Sequence, residues 1–498
     1  MADVASTKPE WLRMVLSSMC CWDRTKALTD DDVATADVDV TVMQDGMVLK
    51  VDTFEGIHRL PSEQPHPGVW NWRHLESLPI FGVGQCNTDG VVYCLKQLRM
   101  QGFHRVVWVN MRVEPVVYLH GRSVSLKYRS SPQDNLETYE GKSGDEVNAV
   151  EATLCDECVA AAARNASSIP LLESVGLKWG ENAEKPVALG GRAEVLSVVE
   201  TFNGVRGIAG VPAVIDYQRV PVKDECAPST DALDALVIIF RSHYLHEAAA
   251  AGGGAGASTS TSTSTAKAAF VCQCHMGRGR TTTAMVAFSI LIKAATGWVA
   301  PDDAPPALPP ADAPVGVDPG ERNPKLGEFK GVLALCALLG DDAGASDGSL
   351  GRRAKLLADE CVDACSALTN LCTCIAVALA VGEKKLLEPS PDPDRPPEKR
   401  AERHFKNAAD YQQRYASLIV FAAYALDVFS PRPGGEASAQ SMGFGAWCTQ
   451  RSAVVRALAE MLPERGAVAA DDKATSGASA EKLKHERVKP KDSSAYAA

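Results

Sequence analysis

Several features that define common protein classes are missing from this 498-residue chain. No segment reaches the run of about 18 apolar residues that a membrane-spanning helix needs. The first residues have no basic start followed by an apolar stretch and a small-residue cleavage site, so we do not expect export. Positive charge is scarce, because 51 Lys and Arg stand against 62 Asp and Glu and leave a net charge of −11. Without a basic stripe that carries interleaved aromatic residues, we expect no nucleic-acid binding.

The 15 cysteines show no disulfide or zinc framework in their spacing. Most are scattered through apolar helix and strand patterns, which suits a reducing compartment. Cys155 and Cys158 form a C-x-x-C pair on a helix pattern, but no second pair with ligand spacing accompanies them. Packing within that helix is favoured over zinc or redox chemistry. We expect a cytoplasmic protein that uses no metal and no other cofactor.

One stretch joins an apolar run, a loop with two glycines and an apolar helix pattern. It reads Phe270-Val-Cys-Gln-Cys-His-Met-Gly-Arg-Gly-Arg-Thr-Thr-Thr283. We interpret it as a phosphate-binding loop between a strand and a helix. A Walker nucleotide-binding loop is not expected, because the Gly-Lys-Ser/Thr sequence is absent. A sulfurtransferase or an arsenate-reductase-like cysteine loop stays open as an alternative.

The pattern of Cys, five residues and Arg needs a choice of register. It occurs from Cys158 to Arg164, from Cys272 to Arg278 and from Cys274 to Arg280. The first occurrence lies in an alanine-rich helical run without glycines, and the second leaves Gly279 in the opening turn of the helix. Only the third places both Gly277 and Gly279 inside the loop, where backbone N–H groups can converge on an anion. We therefore expect Cys274 and Arg280 to be the reactive pair.

This register assigns a chemical role to each part of the loop. The N–H groups and the helix N-terminus favour the thiolate of Cys274, which is then a nucleophile aimed at bound phosphate. Arg280 supplies a planar fork for two phosphoryl oxygens. The hydroxyl of Thr281 is expected to hydrogen-bond the sulfur. The residues expected to line the bound phosphate are His275, Met276, Gly277, Arg278, Gly279 and Thr281.

Strands alternate with helices up to about residue 300, and only helix patterns follow, which predicts an α/β domain with a helical extension. We expect a lead-in without assigned function (1–45), the α/β domain (46–300) with a flexible Gly/Ser/Thr insertion (251–266), a Pro/Asp-rich loop (301–323), the helical extension (324–464) and a disordered tail (465–498). Single helices are predicted over 354–380 and 445–461, and a short strand over 213–217. The oligomeric state cannot be derived from these patterns.

Three segments resemble paladin and the related phytase-like branch of the cysteine-dependent tyrosine phosphatase superfamily. They are Cys-His-Met-Gly-Arg-Gly-Arg-Thr-Thr-Thr-Ala-Met (274–285), Met-Arg-Val-Glu-Pro-Val-Val-Tyr-Leu-His-Gly-Arg (111–122) and Asp-Tyr-Gln-Arg-Val-Pro-Val-Lys-Asp-Glu-Cys-Ala-Pro (216–228). The resemblance extends over about residues 46–462. It implies a tyrosine-phosphatase-like central sheet, mainly parallel and flanked by helices.

The resemblance also implies a reaction in which Cys274 attacks phosphorus, Arg280 binds the phosphoryl group and Asp224 protonates the leaving oxygen. Asp224 has independent support, because general acid catalysis needs a carboxyl on a second, mobile loop, and the proline-bracketed loop 219–228 offers one. Glu225 is the competing carboxyl, and a solvated loop carboxylate without catalytic role is the third interpretation.

The expected substrate is a phosphorylated small molecule, a lipid headgroup or a phosphoprotein. The phytase-like resemblance favours inositol phosphates or phosphoinositides over phosphotyrosine. Three further basic residues are expected to bind neighbouring phosphates, namely Arg112, Arg219 and Lys223.

The chain departs from the family pattern at two positions. Gln273 stands where the superfamily usually has His before the nucleophile, and Val113 replaces an acid of the Arg-Glu-Glu-Pro pattern. A catalytically inactive phosphate-binding scaffold is therefore the alternative hypothesis.

Overall fold

The computed structural model describes residues 42–52, 60, 66–175, 181–245, 268–301, 308–312, 322–341, 350–389, 396–431 and 442–461. Nearly all of the predicted lead-in, the insertion 251–266, most of the loop 301–323 and the tail 465–498 lie outside these residues. The predicted domain boundaries therefore stay predictions.

The described residues form strands and helices that alternate in the first part of the chain. The strands are β1 (Met47–Val51), β2 (Arg73–Leu75), β3 (Ile80–Val83), β4 (Arg105–Arg112), β5 (Val116–Leu119), β6 (Arg122–Tyr128), β7 (Ser168–Ser174), β8 (Asn182–Ala188), β9 (Val195–Ser197), β10 (Val214–Val222) and β11 (Ala269–Gln273). The helices are α1 (Thr88–Met100), α2 (Gly144–Arg164), α3 (Val198–Val205), α4 (Thr230–Phe240), α5 (Gly279–Ala295), α6 (Lys330–Asp341), α7 (Leu350–Ala364), α8 (Leu371–Leu387), α9 (Pro397–Phe429), α10 (Phe444–Thr449) and α11 (Ser452–Ala459).

A five-stranded sheet in the order β10-β4-β11-β3-β2 lies at the centre of the fold. The first four strands run parallel to one another, and β2 pairs antiparallel with β3 at one edge. Every residue of β11 is buried, and so is every residue of β4 after the first. Continuous burial of this kind is typical of parallel strands that are covered on both faces. The predicted mainly parallel α/β class is confirmed.

Alternate residues of the central strands enter two different apolar clusters. Val107 and Phe270 pack with α4, α5 and the C-terminal helices, whereas Val106 and Trp108 pack with α1 and α3 on the opposite face. Because successive side chains of a strand point to opposite faces, one apolar run can serve both clusters.

Helix α5 is buried on nearly all sides. It follows the loop after β11 directly, and 14 of its 17 residues are buried. The sheet covers one side of the helix and α9 covers another, so a single apolar cluster contains residues of the sheet, of α5 and of the C-terminal helices. A helix that is apolar all round needs such cover on every side. The helices after residue 324 therefore complete the main core.

The chain between β4 and β10 forms most of a second sheet, and β1 supplies its remaining strand. It has six strands in the order β8-β7-β1-β6-β5-β9, mostly antiparallel, and α2 packs in its apolar cluster. The sequence analysis did not predict this sheet. Its short strands β5 and β6 are separated only by a tight turn at His120 and Gly121, so they read as one continuous segment after β4.

Three predicted elements differ from the structure. The single helix predicted over 354–380 is wrong, because the chain turns before Asn370, whose side chain accepts a hydrogen bond from the N–H of Thr373 and caps α8. The helix predicted over 445–461 is wrong as well, since it is divided into α10 and α11. The strand predicted over 213–217 continues to Val222, because β10 pairs with β4 along most of its length.

No helix of the part of the chain that the structure describes is both long and apolar enough to cross a membrane.

The close approach of α6 and α7 gives a test of the fold. A Cβ atom added at Gly351 of α7 would collide with the backbone carbonyl of Cys336 in α6. We expect Gly351→Ala to lower the melting temperature, because overpacking of this kind costs about 1–3 kcal/mol. The matched control is Gly204→Ala in α3, where nothing lies within 4 Å of the added atom. There, the higher helix propensity of alanine leaves stability unchanged or raises it by about 1 kcal/mol. Equal melting temperatures for the two variants would contradict this packing.

Candidate active site

Four loops meet at the carboxyl ends of the parallel strands. They follow β3 (84–87), β4 (113–115), β10 (223–229) and β11 (274–278). The carboxyl edge of a parallel sheet is where α/β proteins bind ligands. The sequence-predicted nucleophile, arginine and acid lie in two of these loops and at the start of α5.

The loop after β11 has its carbonyl groups tied to donors outside the loop. The carbonyl of His275 accepts from the N–H of Gln85 at 2.8 Å, that of Met276 from Nδ2 of Asn71 at 2.8 Å, and that of Gly277 from Nη1 of Arg73 at 2.7 Å. In a trans peptide the N–H points away from the C=O, so the following N–H groups are directed to the opposite, inner side. This arrangement makes a concave surface of N–H donors, which suits an anion.

Gly277 is required by its conformation and by its neighbours. Its φ is +69°, in the left-handed region that favours glycine. A Cβ atom at this position would lie 2.5 Å from the backbone nitrogen of Gly84. The next residue, Arg278, is the N-cap of α5, so the loop leads directly into a helix N-terminus.

Cys274 directly follows β11 and is 3% exposed. Two buried guanidinium groups, those of Arg73 and Arg280, lie close enough to interact electrostatically with its sulfur. Cys272, the competing cysteine, is completely buried within the strand, and burial raises the pKa of its thiol. Cys274 thus lies near two cationic groups at the start of the loop, whereas Cys272 is enclosed within the strand.

Arg280 is fixed by carboxylates on two sides. Its Nη1 lies 2.9 Å from both carboxylate oxygens of Glu114, and its Nε lies 3.1 Å from Oδ1 of Asp224. Burial disfavours the charge of Arg280, but Asp224 and Glu114 outweigh this effect and raise its pKa. Burial likewise opposes ionisation of Glu114, yet Arg280 and Arg112 lower its pKa to about 2. Both partners are therefore charged at neutral pH.

Asp224 lies over this arginine on the loop after β10. Its side chain is 38% exposed, and its Oδ2 accepts a hydrogen bond from Nδ2 of Asn135 at 3.2 Å. Glu225, the competing acid, is exposed, and its backbone N–H donates to Oδ1 of Asp224 at 3.1 Å. The geometry favours Asp224 as the carboxyl that faces the loop.

Gln273 takes part in a buried chain of hydrogen bonds. Its Oε1 accepts from Nε1 of Trp108 at 2.5 Å, and its Nε2 donates to Oε1 of Gln85 at 2.8 Å. Nε2 of Gln85 in turn donates to the hydroxyl of Tyr118 at 2.9 Å. The amide therefore occupies the position before the nucleophile with both its polar groups paired, and it fixes the loop without carrying a charge.

His275 contacts a carboxylate below the loop. Its Nε2 lies 3.3 Å from Oδ1 of Asp52. Burial lowers the pKa of His275 to about 4, although Asp52 acts in the opposite direction. The imidazole is therefore neutral at neutral pH, and the positive charge at the loop comes from arginines.

Arg112 and Arg219 were predicted to bind substrate phosphates, but both pair with carboxylates of the protein. Arg112 is completely buried and donates to Asp52 at 2.8 Å and to Ser125 at 2.7 Å. The Arg219 side chain is also completely buried, where it pairs with Glu151 at 2.5 Å. Both guanidinium groups are engaged in the interior, so their placement differs from the prediction and corresponds to a structural role.

The remaining predicted substrate ligands lie at or near the loop. Lys223 has a 45% exposed side chain and pairs with Glu140 at 2.9 Å. Arg278 approaches Cys374 and Tyr411 of the C-terminal helices closely enough to affect their ionisation. The hydroxyl of Thr281 donates to the carbonyl of Val83 at 3.3 Å, which differs from the expected contact with the sulfur of Cys274.

Sequence reasoning missed several residues that build the site. The side chains of Asn71 and Arg73 hold the loop, that of Glu114 holds Arg280 and that of Asn135 holds Asp224. Gln85 holds the loop through its backbone N–H, and its side chain pairs with Gln273. Glu114 had a usable signal, because it lies two residues after the end of β4 in the quoted Arg-Val-Glu-Pro segment. Arg73 had none, because a single arginine in a three-residue edge strand carries no pattern.

Two alternatives to phosphate chemistry are a metal site and redox chemistry at the C-x-x-C pair. In the residues with described placement, no group of three or more His, Cys, Asp or Glu side chains is arranged to hold a metal ion. Cys155 and Cys158 are both buried in the core of the second sheet, and burial raises the pKa of each thiol. Their positions agree with helix packing.

A family comparison covers three parts of the site together. They are β4, the loop 223–229 that carries the predicted acid (the acid loop) and the loop 274–278 that carries the predicted nucleophile (the nucleophile loop). Residues 109–292 match the family model PTPlike_phytase, described as inositol hexakisphosphate. The matched segment runs from β4 to α5 and includes the predicted Cys274, Arg280 and Asp224. The phytase-like resemblance derived from the sequence is confirmed for this segment, whereas the closer resemblance to paladin stays a prediction. No curated protein gives a significant match.

Solved structures similar to this chain include two from Mitsuokella multacida. A tandemly repeated protein tyrosine phosphatase like phytase is 15% identical, with a TM-score of 0.41 and coverage of 81% of this chain and 49% of that one. A PTP-like myo-inositol phosphatase in complex with myo-inositol-(1,3,4,5)-tetrakisphosphate is 14% identical, with a TM-score of 0.42 and the same coverages of 81% and 49%. A PTP-like phytase from Bdellovibrio bacteriovorus is 14% identical, with a TM-score of 0.37 and coverage of 81% and 95%. The chain spans about half the length of the two Mitsuokella proteins.

Oxyanion binding tests the assignment of the loop. We expect Cys274→Ser to abolish turnover but to keep phosphate binding, because the N–H groups and Arg280 remain. Arg280→Lys should lose both, since a lysine cannot provide the planar fork that Glu114 orients. Phosphate release and the rise of the melting temperature in inorganic phosphate measure the two properties. Cys272→Ser is the control and should retain both; an inactive Cys272→Ser beside an active Cys274→Ser would show that the register is wrong.

Proposed function

We propose that this protein is a cysteine-dependent phosphatase that hydrolyses phosphate monoesters through a phosphocysteine intermediate. The observation that carries the proposal is the arrangement of Arg280, which Glu114 holds beside the nucleophile loop while Asp224 faces it at 3.1 Å. A nucleophile, an oxyanion site and an acid are thereby available around one point, which is the set that phosphoryl transfer needs.

In the proposed first step, the thiolate of Cys274 attacks phosphorus and the bond to the leaving oxygen breaks. Arg280 and the loop N–H groups stabilise the charge on the equatorial oxygens. Asp224 gives its proton to the leaving oxygen and becomes a carboxylate. In the second step, that carboxylate takes a proton from a water molecule, which attacks phosphocysteine and restores the thiolate and the acid.

The proposed substrates are inositol phosphates or phosphoinositide headgroups, with phosphotyrosine as a further substrate class. The family match supports this preference. Positive charge also supports it, because Lys223 on the loop that carries Asp224 is exposed and Arg278 on the loop after β11 is partly exposed, which makes both candidates for contact with neighbouring phosphates. Binding of a second phosphate needs such local charge on a chain that is acidic as a whole.

A catalytically inactive phosphate-binding scaffold is the second candidate, and Gln273 is the observation that favours it. A neutral amide replaces the imidazole usual before the nucleophile, so no protonated side chain at this position supports the thiolate. The buried charge of Arg73 near Cys274 acts in the opposite direction and supports a reactive thiolate.

The two candidates are separated by phosphate release from purified protein against a panel of inositol phosphates, phosphoinositides and phosphopeptides. Cys274→Ser provides the blank. We expect turnover of inositol polyphosphates by the unmutated chain. Absence of turnover on the whole panel, together with a higher melting temperature in phosphate or an inositol phosphate, would establish the scaffold instead.

The leaving group tests the role of Asp224. Asp224→Asn should slow hydrolysis of alkyl phosphates such as inositol esters by about 10²–10⁴-fold, because an alkoxide leaves poorly without a proton. Hydrolysis of an aryl phosphate with an activated leaving group should change far less. Steady-state kcat/KM on both substrates measures the contrast. An equal loss on both would indicate a binding or folding role, and no loss would leave the proton to Glu225 or to water.

A further inference from the structure

The segment between β6 and α2 packs against the loop that carries Asp224. Two of its side chains, Leu136 and Tyr139, are buried in the apolar cluster of the second sheet at 2% and 5% exposure. The backbone N–H of Arg129 also donates to the carbonyl of Gly46 at 2.9 Å. The segment is therefore anchored in the core of the second sheet rather than in the acid loop.

Two polar contacts join this segment to the acid loop. Nδ2 of Asn135 donates to Oδ2 of Asp224 at 3.2 Å, and Glu140 pairs with Lys223 at 2.9 Å. Two adjacent residues of the acid loop are thus held from the same side by one anchored segment.

Lys127 determines which way the amide of Asn135 points. Its Nζ lies 2.8 Å from Oδ1 of Asn135 and 3.1 Å from the carbonyl of Asp134, and the side chain is buried. An ammonium group has donors only, so it must face the amide oxygen. The NH₂ group of Asn135 is consequently directed to Asp224. Burial lowers the pKa of Lys127 to about 8, which leaves it mainly protonated at neutral pH.

The contact with Asn135 fixes how the carboxyl of Asp224 is turned. Oδ2 is held by Asn135, whereas Oδ1 lies 3.1 Å from Nε of Arg280 and also accepts from the backbone N–H of Glu225 at 3.1 Å. A general acid is effective only when its O–H is directed at the leaving oxygen.

We propose that Asn135, oriented by Lys127, is a positioning residue that keeps the carboxyl of Asp224 beside Arg280 and towards the phosphoryl group. The Sγ–P bond forms while the bond from phosphorus to the leaving oxygen breaks; the carboxyl O–H of Asp224 gives its proton to that oxygen, and Asp224 remains as a carboxylate still bound by Asn135. This inference rests on the proposed function of Asp224 as general acid. It assigns part of the catalytic geometry to the second sheet.

The test uses Asn135→Ala and Asn135→Leu in the full chain, the latter keeping the side-chain volume without its hydrogen bonds. We expect kcat/KM on an inositol phosphate to fall about 10-fold or more, a part of the 10²–10⁴-fold effect of general acid catalysis. The kcat/KM on p-nitrophenyl phosphate should stay within about threefold of that of the unmutated chain, because its leaving group needs little protonation. The matched control, Asn165→Ala, removes an exposed amide at the end of α2 that donates to the carbonyl of Ser168, and should change neither value.

A double mutant separates positioning from a general structural role. In Asp224→Asn, where no proton can be delivered, adding Asn135→Ala should cause no further selective loss on the inositol phosphate. Two results would overturn the positioning role. One is a double mutant whose loss of kcat/KM on the inositol phosphate is the product of the two single losses. The other is an equal loss on alkyl and aryl substrates in both Asn135 variants. If Asp224→Asn itself shows no selective loss, the proposed function of Asp224 fails instead. Melting temperatures of all variants identify any loss that comes from unfolding.

Discussion

The buried pair of Arg280 and Glu114 is the interaction on which the site depends. A guanidinium without its carboxylate would be an uncompensated buried charge, and removal of one partner from such a pair is strongly destabilising, by about 3–5 kcal/mol. Glu114 holds one nitrogen of the fork at 2.9 Å through both oxygens, which fixes the plane of the group. The strand β4 must therefore end where Glu114 can reach the start of α5, and the parallel pairing of β4 with β11 provides this position.

The nucleophile loop is likewise held by contacts from other parts of the chain. Its carbonyl groups are tied by an amide side chain, a guanidinium and one backbone N–H, which come from the chain around β2 and β3. These contacts orient the peptide groups before any anion binds, so little reorganisation is needed when charge develops. The site thus draws on residues that are about 200 positions apart in the chain, such as Asn71 and Met276.

Local patterns predicted the α/β class and marked the loop after β11 as a candidate site, whereas the mainly parallel central sheet was implied by the family resemblance. The apolar run at β11, the glycines at 277 and 279 and the apolar helix after Arg280 are all contiguous signals. The second sheet was missed because β1, which pairs with both β6 and β7, reaches it from a distant part of the chain. The end of α7 and the start of α8 were missed because a helix-period apolar pattern continues across the turn between them. Asn370 follows this turn and caps α8.

Charged residues were the least predictable part of the site. Arg112 and Arg278 both lie close to strand ends in the sequence, yet the structure buries one in ion pairs and leaves the other partly exposed at the loop. The difference depends on Asp52 and Ser125, which belong to other strands or loops. Sequence patterns indicate where a charge is, but its partners are set by tertiary contacts.

The shared core of α5 and the C-terminal helices has a consequence for how this protein can change during evolution. Arg414 of α9 donates to the carbonyl of Cys226 in the acid loop at 3.2 Å, and the outer side of α5 is covered by the same helix. Loss or exchange of the C-terminal helices as a unit would expose the helix that begins at the nucleophile loop. We therefore expect the two parts of the chain to be inherited together, with substitutions on one side of their interface compensated on the other.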